Sequence, residues 1–99
     1  MPNCFQLIDK RTNEPAILAK VDDRICQHFN VAPHPRNYYC RWFDHIGRKL
    51  ALGQTLPQII EKFERDAHED PWFANLTRIA KFLEANYTTN AWAEPSWKR

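Results

Sequence analysis

Two stretches between Thr55 and Tyr87 carry apolar residues at helical spacing and predict two consecutive amphipathic helices. In the first, the segment Thr55-Leu56-Pro57-Gln58 supplies a capping threonine, a first-turn proline and a glutamine three residues after the threonine. Its apolar stripe consists of Leu56, Ile59, Ile60 and Phe63. The second helix begins at Asp70-Pro71, and its stripe consists of Trp72, Leu76, Ile79, Leu83 and Tyr87. This best-defined part of the chain uses its residues for packing and carries no catalytic motif.

The amino-terminal pattern predicts a β-hairpin. Residues 4–9 alternate, with Phe5 and Leu7 on one face and Gln6 on the other, as in a half-buried strand. Residues 10–15 form a polar loop that ends in proline. Residues 16–20 are compatible with a second, antiparallel strand that returns along the first.

A short helix is predicted next, with Asp22-Asp23 as its N-cap and first-turn acid. Its apolar side chains are four residues apart at Val21, Ile25 and Phe29, and Asn30 is suited to a left-handed helix end. The prolines within residues 32–36 then predict a stiff connector that cannot lie inside a helix.

Between the short helix and Thr55, another helix is expected over residues 38–52, ended by Gly53. Its buried stripe is Tyr39, Trp42, Phe43, Ile46 and Leu50, and its solvated stripe is Arg41, Asp44, His45 and Arg48. Gly47 lies inside this helix at a cost of about 1 kcal/mol relative to alanine. Because Phe43, Gly47 and Ala51 are four apart, a neighbouring backbone can approach closely there. That neighbour is either one of the chain's own helices, a partner's helix or a second copy.

The residues after Asn86 are rich in threonine and aromatic side chains, which favour a strand over residues 87–94. A third strand lets a marginal hairpin become a stable sheet. The predicted fold is therefore α+β: a small antiparallel sheet, made of the amino-terminal hairpin and the carboxy-terminal strand, covered by about four helices. The 99 residues form one domain, with residues 95–99 frayed. Deletion of residues 87–99 is expected to unfold it.

Composition excludes several classes of protein. Two glycines, Gly47 and Gly53, are too few for a loop that binds phosphate through glycine backbone, and we expect no cofactor. No apolar run approaches the ~18 residues of a membrane span, and the first residues lack the features of a signal peptide, so we expect no membrane partner. Three cysteines, at positions 4, 26 and 40, fit reduced thiols in a cytoplasm better than a disulfide framework.

Charge is unevenly distributed although the net charge is only +2. Between Arg24 and Lys49 the basic residues outnumber one acid, Asp44, whereas residues 54–70 are predominantly acidic. Two interpretations follow: solvated helix faces that attract each other weakly, or a polar surface for a charged partner.

The spacing of the cysteines and histidines along the chain favours neither metal binding nor catalysis. The potential zinc ligands Cys26, His28, His34, Cys40 and His45 fall within twenty residues, but without the paired spacing of zinc knuckles, so no metal site is predicted. The cysteines and histidines lack a recognisable catalytic signature. The segment His68-Glu69-Asp70 is interpreted as a polar turn that caps the following helix, and Asp22-Asp23 as helix-start residues rather than catalytic carboxylates.

Nucleic-acid binding is the alternative that the basic segment raises. Arg36, Arg41, Arg48 and Lys49 accompany aromatic residues that could stack on bases while the cations neutralise phosphates. The isoelectric point of about 8.5 is below that of a dedicated binder, and Asp44 interrupts the basic face.

Protein binding is favoured instead by two tryptophans near the end of the chain, Trp92 and Trp97, since tryptophan is enriched at binding hot spots. One of them could alternatively cover the sheet edge. The predicted contact surface combines the helix over residues 38–52 with these tryptophans, through Arg41, His45, Arg48, Trp92 and Trp97.

The chain also resembles small accessory proteins of tailed bacteriophages and prophages. The resemblance covers most of the chain and lies in residues 38–47, in Gln58-Ile59-Ile60, in Asn86-Tyr87-Thr88 and in Trp92-Ala93-Glu94. That group contributes no activity or binding residue; it implies a bacterial cytoplasm during infection and an interaction protein rather than an enzyme. The predicted function is therefore binding or inhibition of a host protein, with a homodimer as a further option. Nucleic-acid association is the alternative, and a small hydrolase or nuclease comes third.

Overall fold

The fold is an α+β arrangement of four helices and a two-stranded antiparallel sheet, which confirms the predicted class. A computed structural model describes residues 3–32 and 40–93, with the side chains of residues 3, 4 and 90–93 left out. The predicted connector at residues 33–36, the aromatics Tyr38 and Tyr39, and the frayed end at 95–99 lie outside the described residues. In chain order the elements are β1 (Asn3–Asp9), α1 (Leu18–Phe29), α2 (Arg41–Ala51), α3 (Leu56–Asp66), α4 (Trp72–Asn86) and β2 (Tyr87–Ala93).

The sheet joins the two ends of the described chain. β1 and β2 pair antiparallel over seven residues, from Asn3 opposite Ala93 to Asp9 opposite Tyr87. The predicted carboxy-terminal strand is thus confirmed. Because β2 follows α4 with no intervening loop, helix α4 carries the chain directly to the strand that closes the fold.

The predicted second strand over residues 16–20 is wrong. The return along β1 is limited to an isolated bridge between Ile8 and Pro15, with hydrogen bonds from the Ala16 N–H to the Leu7 carbonyl, at 2.7 Å, and from the Asp9 N–H to the Glu14 carbonyl, at 3.0 Å. At Ile17 the backbone turns into a helix, since its carbonyl accepts from the N–H groups of Lys20 and Val21. The segment is compatible with a strand in composition, but helix formation from Leu18 onwards displaces that pairing.

The predicted start of α1 at Asp22-Asp23 is also wrong, because the helix already begins one turn earlier. Its N-cap, Ile17, makes no side-chain capping bond. Asp22 lies inside the helix and is only 2% exposed, whereas Asp23 is exposed. The other end agrees with the sequence: Asn30 adopts the left-handed conformation, with φ 55° and ψ 50°.

The remaining helix ends follow their sequence signals. Thr55 and Gln58 form the expected reciprocal capping box at α3, with Pro57 in the first turn. The carboxylate of Asp70 accepts a hydrogen bond from the Trp72 backbone N–H at 3.0 Å, which confirms the capping turn before α4. The start of α2 is the exception: the helix begins at Arg41, later than the predicted start at residue 38, because Cys40 is a non-helical N-cap with ψ 154°. Its other end agrees with the sequence, since the helix stops at Ala51, shortly before Gly53, whose φ is 89°.

One hydrophobic core draws on all six elements. Leu7 of β1 and Tyr87 of β2 join buried side chains from every helix, and the apolar stripe predicted for α3 is buried throughout. Trp42, predicted to be buried, is half-buried at the core margin. No helix in the described part of the chain combines the length and the apolar character that crossing a bilayer requires.

Candidate functional site

An apolar groove opens beside α2. It encloses about 330 Å³. Residues from three elements line it: Phe5 of β1, Leu18 of α1, and Phe43, Asp44, Gly47, Arg48 and Ala51 of α2. The groove therefore lies where the first strand, the start of α1 and one side of α2 meet.

The helical spacing of the α2 residues creates the groove. Phe43, Gly47 and Ala51 follow each other at four-residue intervals and so share one side of the helix. The ring of Phe5 lies 3.5 Å from the point where a Cβ of Gly47 would stand, an ordinary van der Waals distance. The neighbour at Gly47 is thus an aromatic ring of the chain's own strand, and the close approach of a neighbouring backbone that was predicted there is not found among the described residues.

The most exposed large apolar side chains of the described residues are next to groove residues in the chain. Ile17, 60% exposed, precedes Leu18, and Leu52, 67% exposed, follows Ala51. Neither side chain lines this groove, and Ile17 belongs to the lining of a second one.

An ion pair lies at the rim of the groove. Arg48 Nε is 3.1 Å from Asp44 Oδ2, one helical turn away, and the arginine side chain is 80% exposed. An exposed pair of this kind stabilises the helix by only about 0.3–0.5 kcal/mol. Both charges can therefore be re-paired by a partner at small cost.

The residues predicted to contact a partner do not form one surface in the described part of the chain. Arg48 lines the groove, while Arg41 is exposed at the start of α2 with its guanidinium 5.8 Å from the Trp42 ring centroid. Trp92 belongs to β2, but its side chain is not among those described, and Trp97 lies outside the described residues.

His45 is placed differently from its predicted solvated position. It is half-buried on the other side of α2, with its ring centroid 5.6 Å from that of Trp72 and 5.8 Å from that of Phe63. Burial, together with the nearby charges of Lys49 and Arg48, lowers the pKa of His45. The histidine therefore belongs to the packing between α2, α3 and α4.

Of the basic residues proposed for nucleic acid, Arg41 and Arg48 share one side of α2, and the other two do not join them in the described part of the chain. Arg36 lies outside the described residues, and Lys49 is half-buried with its ammonium 5.8 Å from the Phe63 ring centroid. Arg48 is paired with Asp44 in its own helix. The expected attraction between basic and acidic segments is not seen as an ion pair in residues 3–32 and 40–93, where the acidic helix α3 instead pairs Glu64 with Lys81 of α4 at 3.5 Å.

A second groove, of about 220 Å³, lies between the β1–α1 loop and Tyr87, and its lining mixes charged residues with apolar ones such as Ile17 and Val21. Arg24 of α1 donates a hydrogen bond to the Tyr87 hydroxyl, and its guanidinium lies 5.5 Å from the ring centroids of both Phe82 and Tyr87. Arg11 in the same groove pairs with Asp9 at 3.4 Å. These contacts give both arginines structural partners.

The structure brings together two cysteines that the sequence leaves unrelated. The side-chain donor atoms of Asp22, Cys26 and Cys40 all lie within 4.8 Å of one another in the core. Burial raises the pKa of the Cys40 thiol to about 12 and also raises the pKa of Cys26. Both thiols are therefore protonated at neutral pH, which is unfavourable for a nucleophile.

The other residues considered for a metal site are elsewhere. His28 stacks on Phe82 with centroids 4.7 Å apart, His45 lies between α2 and α4, and His34 is outside the described residues. The sequence signal that could have found the cluster is weak: Asp22 and Cys26 share a helix face, but nothing local relates them to Cys40.

Comparisons with known proteins identify no relative of this chain. No protein-family model matches the chain, and searches of curated proteins and of solved structures give no significant match.

Proposed function

We propose that the chain is a non-enzymatic accessory protein of bacteriophage origin that acts in the cytoplasm by binding a host protein, and that the partner docks in the groove beside α2. The observation that carries this proposal is the apolar lining of the groove, to which β1, α1 and α2 contribute Phe5, Leu18 and Phe43. Contiguous exposed apolar surface on a small protein is typical of interaction sites. The phage origin and the host partner rest on the sequence resemblance.

The occupant that best fits this groove is an amphipathic helix of the partner. Phe43 and Ala51 bound the α2 side of the groove and are eight residues apart, which is about 12 Å along a helix axis. Apolar anchors at positions i, i+3 or i+4, and i+7 of a bound helix extend over about 10 Å, a matching length. Gly47 lowers the middle of this wall, so that a central anchor can approach the Phe5 ring.

We expect the charged residues at the rim of the groove, Asp44 and Arg48, to fix the orientation of the bound helix. Arg48 is the predicted contact residue that lines the groove, and arginine is among the residues enriched at binding hot spots. An acidic residue beside the apolar stripe of the partner helix would replace Asp44 as the partner of the guanidinium. The buried, protonated thiols of Cys26 and Cys40 support a binding protein over a cysteine-dependent hydrolase.

The experiment is affinity capture from nuclease-treated bacterial lysate with three baits: the wild type, Ala51→Arg and Ala74→Arg. Ala51 lines the groove, so arginine there fills it with a charged side chain, whereas Ala74 is exposed on α4 and is the matched control. We expect one host protein enriched at least tenfold by the wild type and by Ala74→Arg, and lost with Ala51→Arg. With the purified partner, hydrogen exchange should then slow at residues 43–51.

Three results would contradict the proposal. Capture that is equal for all three baits would place the contact away from the groove. Partners recovered only when nuclease is omitted would favour nucleic acid. A dimer of the wild type that Ala51→Arg dissociates, in sedimentation at 10–100 μM, would mean that a second copy occupies the groove.

Nucleic-acid association is the second candidate, and one observation favours it. Arg41 and Arg48 are both exposed and lie seven residues apart on one side of α2. A cation pair about 10 Å apart can contact two backbone phosphates. Binding of this kind must weaken steeply with salt, whereas an apolar contact persists, so fluorescence anisotropy of labelled single-stranded DNA at 50 and 200 mM salt separates the two.

A further inference from the structure

Three side chains of the types that bind metal ions meet in the core where α1 approaches the start of α2. Asp22 and Cys26 are one turn apart in α1, so they face the same side of that helix. Cys40 is the N-cap of α2. One carboxylate oxygen of Asp22 and the Sγ atoms of Cys26 and Cys40 lie within 4.8 Å of one another.

This cluster is buried and already ordered by hydrogen bonds. Asp22 is 2% exposed, Cys26 9% and Cys40 1%. Asp22 Oδ1 accepts a hydrogen bond from the Cys40 backbone N–H at 2.9 Å, and Asp22 Oδ2 lies 3.9 Å from the Cys26 Sγ. One carboxylate oxygen thus fixes the backbone of Cys40, while the other faces the thiol of Cys26.

The carboxylate of Asp22 is also buried, and no residue within 3–32 or 40–93 forms an ion pair with it. In the part of the chain that the structure describes, the ion pairs involve Asp9, Asp44 and Glu64, and none involves Asp22. Buried acids are usually paired with a cation or bound to a metal ion. Two thiols and a carboxylate form a donor set that suits zinc, which binds Cys sulfur, His nitrogen and Asp or Glu oxygen.

We propose that Cys26 Sγ, Cys40 Sγ and Asp22 Oδ2 form a binding site for a thiophilic divalent cation such as Zn²⁺. The cation replaces the two thiol protons, which pass to solvent, so the net charge of the buried cluster does not change. Asp22 Oδ1 keeps its hydrogen bond to the Cys40 N–H. The fourth position of the tetrahedron is left for water or another donor, as in zinc sites with three protein ligands.

The distances allow this with small movements. Zinc–sulfur bonds of about 2.3 Å and zinc–oxygen bonds of about 2.0–2.2 Å place tetrahedral donors roughly 3.5–3.8 Å apart. The donors here are at most 4.8 Å apart, so they need to close by about 1 Å at most. Rotation about the cysteine side-chain bonds can supply much of this. Bound metal would link α1 to α2 across the segment that separates Cys26 from Cys40.

The test uses the reduced, metal-free full chain, titrated with Cd²⁺ and Zn²⁺ under anaerobic conditions. Cadmium reports thiolate ligation through its sulfur-to-metal charge-transfer absorption. We expect one ion per chain, release of two protons per ion and a rise of several degrees in Tm. Cys26→Ser and Cys40→Ser should each weaken binding at least tenfold, while Cys4→Ser, which removes the third cysteine, should not. Asp22→Asn, whose amide oxygen can keep the bond to the Cys40 N–H, should weaken binding without unfolding the chain.

A second measurement needs no variant and guards against misfolding of the serine proteins. X-ray absorption at the zinc edge of the loaded wild type should count two sulfur ligands. The proposal is overturned if the folded, reduced wild type binds no Zn²⁺ or Cd²⁺ at tens of micromolar. It is equally overturned if the zinc has no sulfur ligand, if both serine variants retain full affinity, or if Cys26 and Cys40 are recovered as a disulfide from reductant-containing buffer.

Discussion

The ring of Phe5 in β1 lies 3.5 Å from the point where a side chain at Gly47 of α2 would begin. This distance is an ordinary van der Waals contact, so the strand and the helix are close but not so close that only glycine fits. Gly47 is helical and has no positive φ, unlike Gly53. The backbone conformation at position 47 therefore does not require glycine. The absence of a side chain there matters instead for the shape of the groove.

Gly47→Ala is expected to stabilise the protein by up to about 1 kcal/mol, because alanine is favoured by that amount in a helix interior and its methyl group meets only the edge of the Phe5 ring. Urea denaturation measures this change. Ala51→Gly in the same helix should cost a similar amount and is the matched control. Destabilisation by Gly47→Ala would mean that the Phe5 ring cannot accommodate a methyl group. The same substitution makes the groove shallower and should weaken partner binding.

Local signals predicted α3 and α4 because their information lies within a few residues. The Thr55–Gln58 capping box and the carboxylate of Asp70 act on backbone groups two or three positions away. The apolar residues of α3 recur at helical spacing, so they form one face of the helix that is buried in the core. Such elements need little knowledge of the rest of the fold.

The error at Asp22 arose where a distant contact overrides local preference. Aspartate is a favoured N-cap residue, but the carboxylate of Asp22 accepts a hydrogen bond from the backbone N–H of Cys40, eighteen residues away. The error at residues 16–20 has a different cause: the segment suits a strand or a helix, and local helical hydrogen bonds to the Ile17 carbonyl prevail. The four-residue spacing of Phe43, Gly47 and Ala51 suggested a closely approaching backbone, but the neighbour is the Phe5 ring at an ordinary contact distance, and nothing in the sequence identifies Phe5 as that neighbour.

Asp22→Ala should destabilise the metal-free protein by about 1–3 kcal/mol, because it leaves the buried N–H of Cys40 without an acceptor. Asp22→Asn retains an oxygen at that position and should cost clearly less. Urea denaturation in the presence of a chelator measures both. Equal losses for the two variants would show that the carboxylate charge, rather than the hydrogen bond to Cys40, supports the fold.

His45 should make stability depend on pH below neutrality. Burial lowers its pKa in the folded state below the ordinary value of 6.5, so between these two pKa values the unfolded chain binds more protons than the folded one. The contribution of the neutral ring is fully present above about pH 6.5 and is lost as the pH falls through the folded-state pKa. The free energy of unfolding, measured from pH 7.5 to 5, should fall less in His45→Gln than in the wild type.

The control for that measurement is His68→Gln, since His68 is exposed in the turn between α3 and α4. We expect its pH dependence to follow the wild type. A His45→Gln profile parallel to the wild type, with His68→Gln showing the smaller slope, would place the titrating group in the turn instead of between α2 and α4.

Deletion of residues 87–99 should unfold the protein, because it removes the whole of β2. Seven register pairs with β1 are then lost, together with the buried ring of Tyr87 and its hydrogen bond from Arg24. Leu7, fully buried in the intact chain, loses the strand that helps to cover its part of the sheet. Circular dichroism on heating should show no cooperative transition.

Deletion of residues 94–99 alone is the matched control, since β2 ends at Ala93 and every register pair is kept. This shorter chain should melt within a few degrees of the full one. It also lacks Trp97, so its capture of the host protein separates the roles of the groove and the carboxy-terminal tryptophan: unchanged capture assigns the contact to the groove. If the longer deletion melts like the full chain, the β1–β2 pairing is not what closes the fold.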